Sequence, residues 1–270
     1  LDLVAGNSGQ TNRLYLNNGG INPFDGVSGS DISADDHNTI SLALGDVDGD
    51  GDLDLVAGNY NQANRLYLNN GTANPFNLVS GSDVSGDTHW TRSLALGDVD
   101  GDGDLDVLAG NYTQVNRLYL NNGSTSPFSG AIGSDITTDA YDTFSLALGD
   151  VDADGDLDVI AGNYDQANRL YLNNGTAAPF DGVFGRNISP DAHHTFSLAL
   201  GDVDRDGDLD LVAGNSGQAN RLYLNNGTTN PFNGVLGSNI STNADKTNAI
   251  VLGDLDADGD LDVVAGNYGG

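Results

Sequence analysis

The chain contains no cysteine and no methionine, and its acidic residues are all aspartate: glutamate never appears. Without cysteine there is neither a disulfide framework nor a thiolate metal site. Without glutamate, and with 38 glycines beside many Asn and Asp, a helical bundle is excluded, because these are poor helix formers. Basic residues are scarce as well. Nine Lys and Arg face 39 Asp, for a formal net charge of −30, so nucleic acid is not an expected partner. No apolar run approaches the roughly 18 residues of a membrane-spanning helix. Catalytic machinery is also missing: no G-x-S-x-G elbow, and no His, Asp and Ser grouping that stands apart. Paired Asp could serve a glycosidase, but the close pairs all fall in the acidic loops described below. The chain is therefore read as non-enzymatic.

What the chain has is repetition. The segment S-L-A-L-G-D-V-D-G-D-G-D-L-D-L-V-A-G-N begins at Ser41, returns at Ser93, Ser145 and Ser197, and more loosely at Ala249. The step is 52 residues without insertion, and a ten-residue segment (Leu1 to Gln10, Leu261 to Gly270) stands at both ends. Within a unit, period-two alternation predicts strands near Ser41–Val47, Leu53–Asn59 and Asn64–Asn69, with a weaker fourth near Phe76–Ser80. Gly58-Asn59 and Asn70-Gly71 are hairpin dipeptides. No window has helical periodicity. Four antiparallel strands in a period near 50 predict an all-β fold, a β-propeller of about five four-stranded blades, with residues 1–270 as one domain. About ten irregular residues link units, enough to cross three strand spacings of roughly 4.8 Å.

Between the first two strands each unit carries D-x-D-x-D-G-D-L-D. The aspartates are Asp46, Asp48, Asp50, Asp52 and Asp54; Asp98, Asp100, Asp102, Asp104 and Asp106; Asp150, Asp152, Asp154, Asp156 and Asp158; Asp202, Asp204, Asp206, Asp208 and Asp210; and Asp254, Asp256, Asp258, Asp260 and Asp262. Alternation turns several carboxylates toward one point, and Gly at the sixth place permits the bend. An oxygen-only ligand set selects a hard cation, and its ligand number favours calcium over magnesium. Places one, three, five and nine are expected to supply side chains and place seven its carbonyl, leaving that side chain toward solvent. An EF-hand is excluded because its twelfth place needs Glu, whereas Ala57, Ala109, Ala161, Ala213 and Ala265 stand there. Twenty-five of the 39 aspartates lie in these loops, where like charges repel unless a cation joins them. About five calcium ions are expected.

Strand, D-x-D-x-D-G-x-x-D loop, strand, at a fixed period, resembles the FG-GAP and VCBS repeats. V-A-G-N stands where Phe-Gly and Gly-Ala-Pro would, which makes the VCBS type the closer match. The resemblance covers the whole chain and implies the calcium-binding propeller found in integrin α subunits, in lectins and in secreted bacterial proteins. It implies a secreted or cell-surface location and calcium at the positions named. The function expected is a non-enzymatic binding or structural module for adhesion or extracellular assembly. Its alternatives are a lectin with sugar sites between blades and a non-catalytic propeller domain of a larger secreted enzyme.

Leu1–Asn7 and Leu261–Asn267 are two copies of the second strand. One is expected to complete a blade; the other either pairs with a neighbouring molecule, in a head-to-tail oligomer or filament, or marks an excerpt of a longer array. Glycans or a protein partner are sought where units differ, just before each first strand. His89, Trp90, Arg92, Tyr141, His193 and His194 are the candidate ligand residues there, a Trp beside His and Arg being suited to sugar stacking. Tolerated loop substitution is the competing reading. The sequons at Asn70, Asn111, Asn122, Asn174, Asn187, Asn226 and Asn239 are candidate glycosylation sites, although each Asn-Gly also makes a turn unaided. A strand-three Arg recurs at Arg13, Arg65, Arg117, Arg169 and Arg221, and is expected to pair with Asp or to cap carbonyls.

Overall fold

The short alternating segments form short antiparallel strands. A computed structural model describes residues 1–269, and among them every regular element is a β-strand. No helix among the described residues is long and apolar enough to cross a membrane. Two compact units are present. The first comprises Leu1–Leu96, Asp104–Ala109 and Tyr119–Ser134; the second comprises Gly97–Gly103, Gly110–Leu118 and the residues from Asp135 onward.

In the first unit β1 (Leu3–Ala5), β2 (Arg13–Tyr15) and β3 (Ser30–Asp31) form a three-stranded antiparallel sheet. The next repeat gives a four-stranded sheet in sequence order: β4 (Thr39–Gly45), β5 (Asp54–Asn59), β6 (Arg65–Tyr67) and β7 (Ser82–Asp83). The repeat after it supplies β8 (Thr91–Gly97), β9 (Asp106–Asn111), β10 (Arg117–Tyr119) and β11 (Ser134–Asp135). The second unit contains β12 (Thr143–Gly149), β13 (Asp158–Tyr171), β14 (Arg186–Gly201), β15 (Asp210–Asn215), β16 (Arg221–Tyr223) and β17 (Ser238–Asn239), in one six-stranded sheet. This sheet arises because β13 joins the second and third strands of one repeat and β14 runs from that repeat's fourth strand into the first strand of the next, and the two pair, Tyr164 opposite His194 and Leu170 opposite Arg186. β18 (Thr247–Gly253) and β19 (Asp262–Asn267) form a final hairpin. Register repeats with the sequence. Thr39 faces Asn59 and Gly45 faces Asp54; Thr143 and Asn163, Thr195 and Asn215, and Thr247 and Asn267 pair alike, each with a bulge just after the Thr.

Each core is shared by two successive repeats. Val56, Leu66 and Val84 of one repeat pack with Val107, Ala109, Tyr119 and Phe128 of the next. In the second unit Ile160, Leu170 and Ile188 pack with Leu211, Ala213, Tyr223 and Phe232. At about 1.5–3 kcal/mol for each large side chain buried, these shared clusters dominate the stability.

Two expectations from the sequence need correction. Phe76–Ser80 is not a strand: Asn77 N–H donates to Asn74 O and Val79 N–H to Phe76 O, making a turn whose buried Phe76 anchors it from the inside. The fourth strand is the two-residue β7 that follows. Gly58-Asn59 is not the hairpin turn but the buried end of β5. A Cβ on Gly58 would stand 2.9 Å from Thr91 Cγ2 and from Leu94 Cγ, so glycine here permits close packing of one repeat on the next. The chain turns after it, at Tyr60–Ala63.

The turn that displaced the fourth strand yields a prediction. Leu78 has φ of 62° and is almost fully exposed, whereas Gly26, Gly130, Gly182 and Gly234 hold the same place in other repeats with φ of 70–76°. Leu78→Gly relieves left-handed strain of about 1–2 kcal/mol against a smaller entropy loss. A small rise in melting temperature, about 1–3 °C, is the expected result.

Candidate metal centre

Each acidic loop is folded by its own first aspartate. Asp46 Oδ1 accepts hydrogen bonds from the backbone N–H groups of Gly49 (2.9 Å) and Asp50 (3.1 Å), and Oδ2 from that of Gly51 (2.9 Å). Asp98, Asp150 and Asp202 hold their loops in the same way, and Asp254 Oδ2 accepts from Gly259. The sixth-place glycines, Gly51, Gly103, Gly155, Gly207 and Gly259, have φ of 90–100°, a conformation that other residues adopt at high cost.

The ninth-place aspartate ties the loop to the sheet. Asp54, Asp106, Asp158 and Asp210 are buried. Asp158 Oδ2 accepts from Val151 N–H at 3.0 Å, and Oδ1 from Asn173 N–H at 2.8 Å; Asp54 and Asp210 repeat the pattern. Around these residues the carboxylates converge. One oxygen from each of Asp46, Asp48 and Asp50 lies within 4.8 Å of the others, as in the triads Asp150–Asp152–Asp158, Asp202–Asp204–Asp206 and Asp254–Asp256–Asp262. Places one and three enter every one of these triads, joined by place five or place nine. Place seven faces solvent as expected only at Asp260, which is exposed and pairs with Arg205. Asp52, Asp104, Asp156 and Asp208 are half-buried against the Asn-Gly turn that follows the third strand; Asp156 Oδ2 lies 2.6 Å from where a Cβ on Gly175 would stand.

The electrostatics of these clusters would suit a cation. Asp48 Oδ1 and Asp152 Oδ1 are buried without a hydrogen-bond partner, which is costly for a carboxylate and suits a metal ligand. Burial raises the pKa of Asp48, Asp100 and Asp152, and neighbouring aspartates add to the effect. Burial likewise raises Asp54 and Asp210. Asp158 is pushed up to about 7, chiefly by burial, with repulsion from Asp152 and Asp154 in the same direction; its backbone hydrogen bonds offset only part of this. A carboxyl raised in this way favours the fold while protonated. In metal-free protein its contribution is therefore present below about pH 4 and lost as pH rises toward 7. The expected result is a melting temperature that falls between pH 5 and 8 in chelator, and that stays level over the same range in saturating calcium.

Most of the other candidate residues are engaged within the fold, although the buried Nδ1 of His193 has no hydrogen-bond partner. Trp90 stacks on Tyr60 at 4.9 Å between centroids and donates its indole N–H to Asn61 Oδ1, and the Arg92 guanidinium lies 5.3 Å from the Tyr60 centroid. His194 stacks on Tyr164 at 4.2 Å, and the Arg169 guanidinium lies 5.5 Å from the Tyr141 centroid. His89 approaches Asp87, and burial lowers the pKa of His193. Arg65 bridges Asp35 of the preceding connection and Asp83 of its own repeat while donating to Gly81 O; Arg169 does the same with Asp139, Asn187 and Gly185 O. These are structural clasps. Of the sequons, Asn70, Asn122, Asn174, Asn187, Asn226 and Asn239 are exposed, whereas Asn111 is fully buried in β9 with its amide on Val115 O and is not an accessible acceptor.

The residues that sequence reasoning missed are the first asparagines of L-N-N-G. Asn121, Asn173 and Asn225 are buried, and each donates Nδ2 to two carbonyls. Their recurrence at a fixed place in every L-N-N-G is the signal in the sequence that marks them.

Comparison with known proteins agrees with the repeat and the fold. The FG-GAP-like repeat matches residues 1–57, 46–109, 98–161, 150–213 and 202–265. Cartilage acidic protein 1 of Xenopus tropicalis is 29% identical over 185 residues, covering 63% of this chain; the chain spans 28% of that relative's length. Two crystal structures of BBS1N in complex with ARL6DN, one soaked with lead and one with mercury, superpose with TM-scores of 0.58 and 0.59. Identity is 14% in both, over 98% of this chain and 71% of theirs, so the likeness is one of fold, that of a β-propeller. Five tandem matches account for nearly the whole sequence, and the chain belongs to the FG-GAP-like repeat family.

Proposed function

We propose that this chain is a calcium-stabilised β-propeller acting as a non-enzymatic binding or structural module outside the cell. The observation that carries this reading is the recurrent convergence of three carboxylates within 4.8 Å, together with the orphaned buried oxygens of Asp48 and Asp152. Places one, three, five and nine of each loop would hold the ion. Its charge would neutralise carboxylates that burial makes hard to ionise, and would fix the turn between the first two strands of the repeat. An extracellular setting suits such loops, since calcium there is abundant enough for weak sites. The match to a relative named for cartilage and acidity is in keeping with that setting. A protein is the favoured partner class, because the structural neighbours are complexes of BBS1N with ARL6DN. A carbohydrate-binding reading rests on Trp90, one of whose ring faces is taken by Tyr60.

Isothermal titration of calcium into chelator-treated protein tests the proposal. Saturable binding approaching one ion per acidic loop, with magnesium much weaker and one site lost in Asp152→Asn, is the expected outcome. Heats no larger than dilution would sink it.

A further inference from the structure

Three of the acidic loops, those entered through Val99, Val151 and Val203, are joined by a series of hydrogen bonds. In the second unit Val99 O accepts from Asn173 Nδ2 (2.7 Å), and Asn173 N–H donates to Asp158 Oδ1 (2.8 Å). Asp158 Oδ2 accepts from Val151 N–H (3.0 Å), and Val151 O accepts from Asn225 Nδ2 (2.8 Å). Asn225 N–H donates to Asp210 Oδ1 (2.8 Å), and Asp210 Oδ2 accepts from Val203 N–H (3.0 Å). Val99, Val151 and Val203 each stand between the first two aspartates of a loop; Asp158 and Asp210 are ninth-place residues. The series thus enters and leaves each loop through residues beside its carboxylates. In the first unit Asn121 makes the same two links, to Val47 O and to Asp106.

We propose that Asn173 and Asn225 are positioning residues that couple cation binding in successive loops. The proposal rests on the calcium reading above. On the calcium reading, a cation held by Asp202, Asp204, Asp206 and the ninth-place Asp210 fixes Asp210, hence Asn225, hence the Val151 carbonyl between Asp150 and Asp152. The neighbouring loop is thereby ordered before its own ion arrives. Chains of hydrogen bonds that polarise one another in a buried setting transmit such ordering. Direct repulsion between loops would also couple them, but it is indifferent to a neutral asparagine.

Calcium titrations of four proteins test this: the unaltered chain, Asp204→Asn, Asn225→Leu and the double variant. Asp204→Asn should remove one site and weaken the remaining affinity roughly fivefold or more at the adjoining loop. In the Asn225→Leu background Asp204→Asn should still remove one site but leave the others unchanged. Should Asn225→Leu fail to fold, hydrogen exchange on Asp204→Asn alone replaces it, with faster exchange at Val151 N–H than in the unaltered protein expected in calcium. An Asp204→Asn protein that loses one site with no change at its neighbours, or a weakening that persists in the double variant, overturns the coupling and leaves the calcium reading standing. An unaltered chain that binds no calcium overturns the calcium reading itself.

Discussion

Excess EDTA is expected to lower the melting temperature by about 10–30 °C near pH 7.5, and added calcium to restore it, while sodium chloride at matched ionic strength should not. The size follows from mass action. A ligand at a hundred times its dissociation constant stabilises the native state by about 2.7 kcal/mol for each site. Two or three such sites reach about 5–8 kcal/mol, and a chain near this length shifts by about 2–4 °C for each kcal/mol. The effect exceeds that of surface salt bridges because the carboxylates concerned are partly buried and crowded: Asp152 has a buried oxygen with no partner, and Asp158 is held near neutrality by burial. Sodium screens repulsion over a Debye length but does not fill a site, which separates coordination from screening. Differential scanning calorimetry provides the check. A melting curve indifferent to chelator would remove the structural role assigned to calcium.

Asn163→Ala destabilises the protein by about 3–5 kcal/mol even in saturating calcium. Asn163 is fully buried at the point where β13 leaves its pairing with β12. Its Oδ1 accepts from Thr143 Oγ1 (2.9 Å), its Nδ2 donates to Ala167 O (2.8 Å), and its own N–H donates to Asn168 Oδ1 (3.0 Å). Alanine keeps only the last of these. A buried hydroxyl loses its acceptor and a carbonyl its donor, each at about 1–3 kcal/mol, and a small void is added. Denaturant melts of Asn163→Ala against Asn174→Ala, an exposed turn residue, should separate by most of that amount. Equal midpoints would show that the network contributes little.

The sequence made the repeat, its three longer strands and its acidic loops legible because each rests on a local signal: fixed spacing, alternation, clustered charge. What escaped it depends on neighbours. Phe76–Ser80 carries the apolar residues of a strand but spends them anchoring a turn, and nothing within that stretch reveals that Phe76 inserts into a core shared with Leu14 and Ile32 of the repeat before it. Gly58-Asn59 has the composition of a hairpin turn, yet it lies in the sheet because Thr91 and Leu94 leave no room for a side chain. In the loops, the spacing makes the grouping of places one and three legible, but the inward-leaning Asp156 depends on the Gly175 turn beside it. The asparagines that link loops act across 74 residues, Asn225 reaching Val151, beyond any local pattern.

The shared cores also bear on how such a chain could have grown. In each unit the face offered by one repeat, such as Ile160, Leu170 and Ile188, meets the same kind of face, Leu211, Ala213 and Tyr223, on the repeat that follows. Slipped recombination within the gene, gaining or losing a 52-residue module, would rebuild a junction of the kind already present and require no new interface. Because each new junction would resemble those already present, the shared faces that make the fold modular also place little structural constraint on the number of repeats.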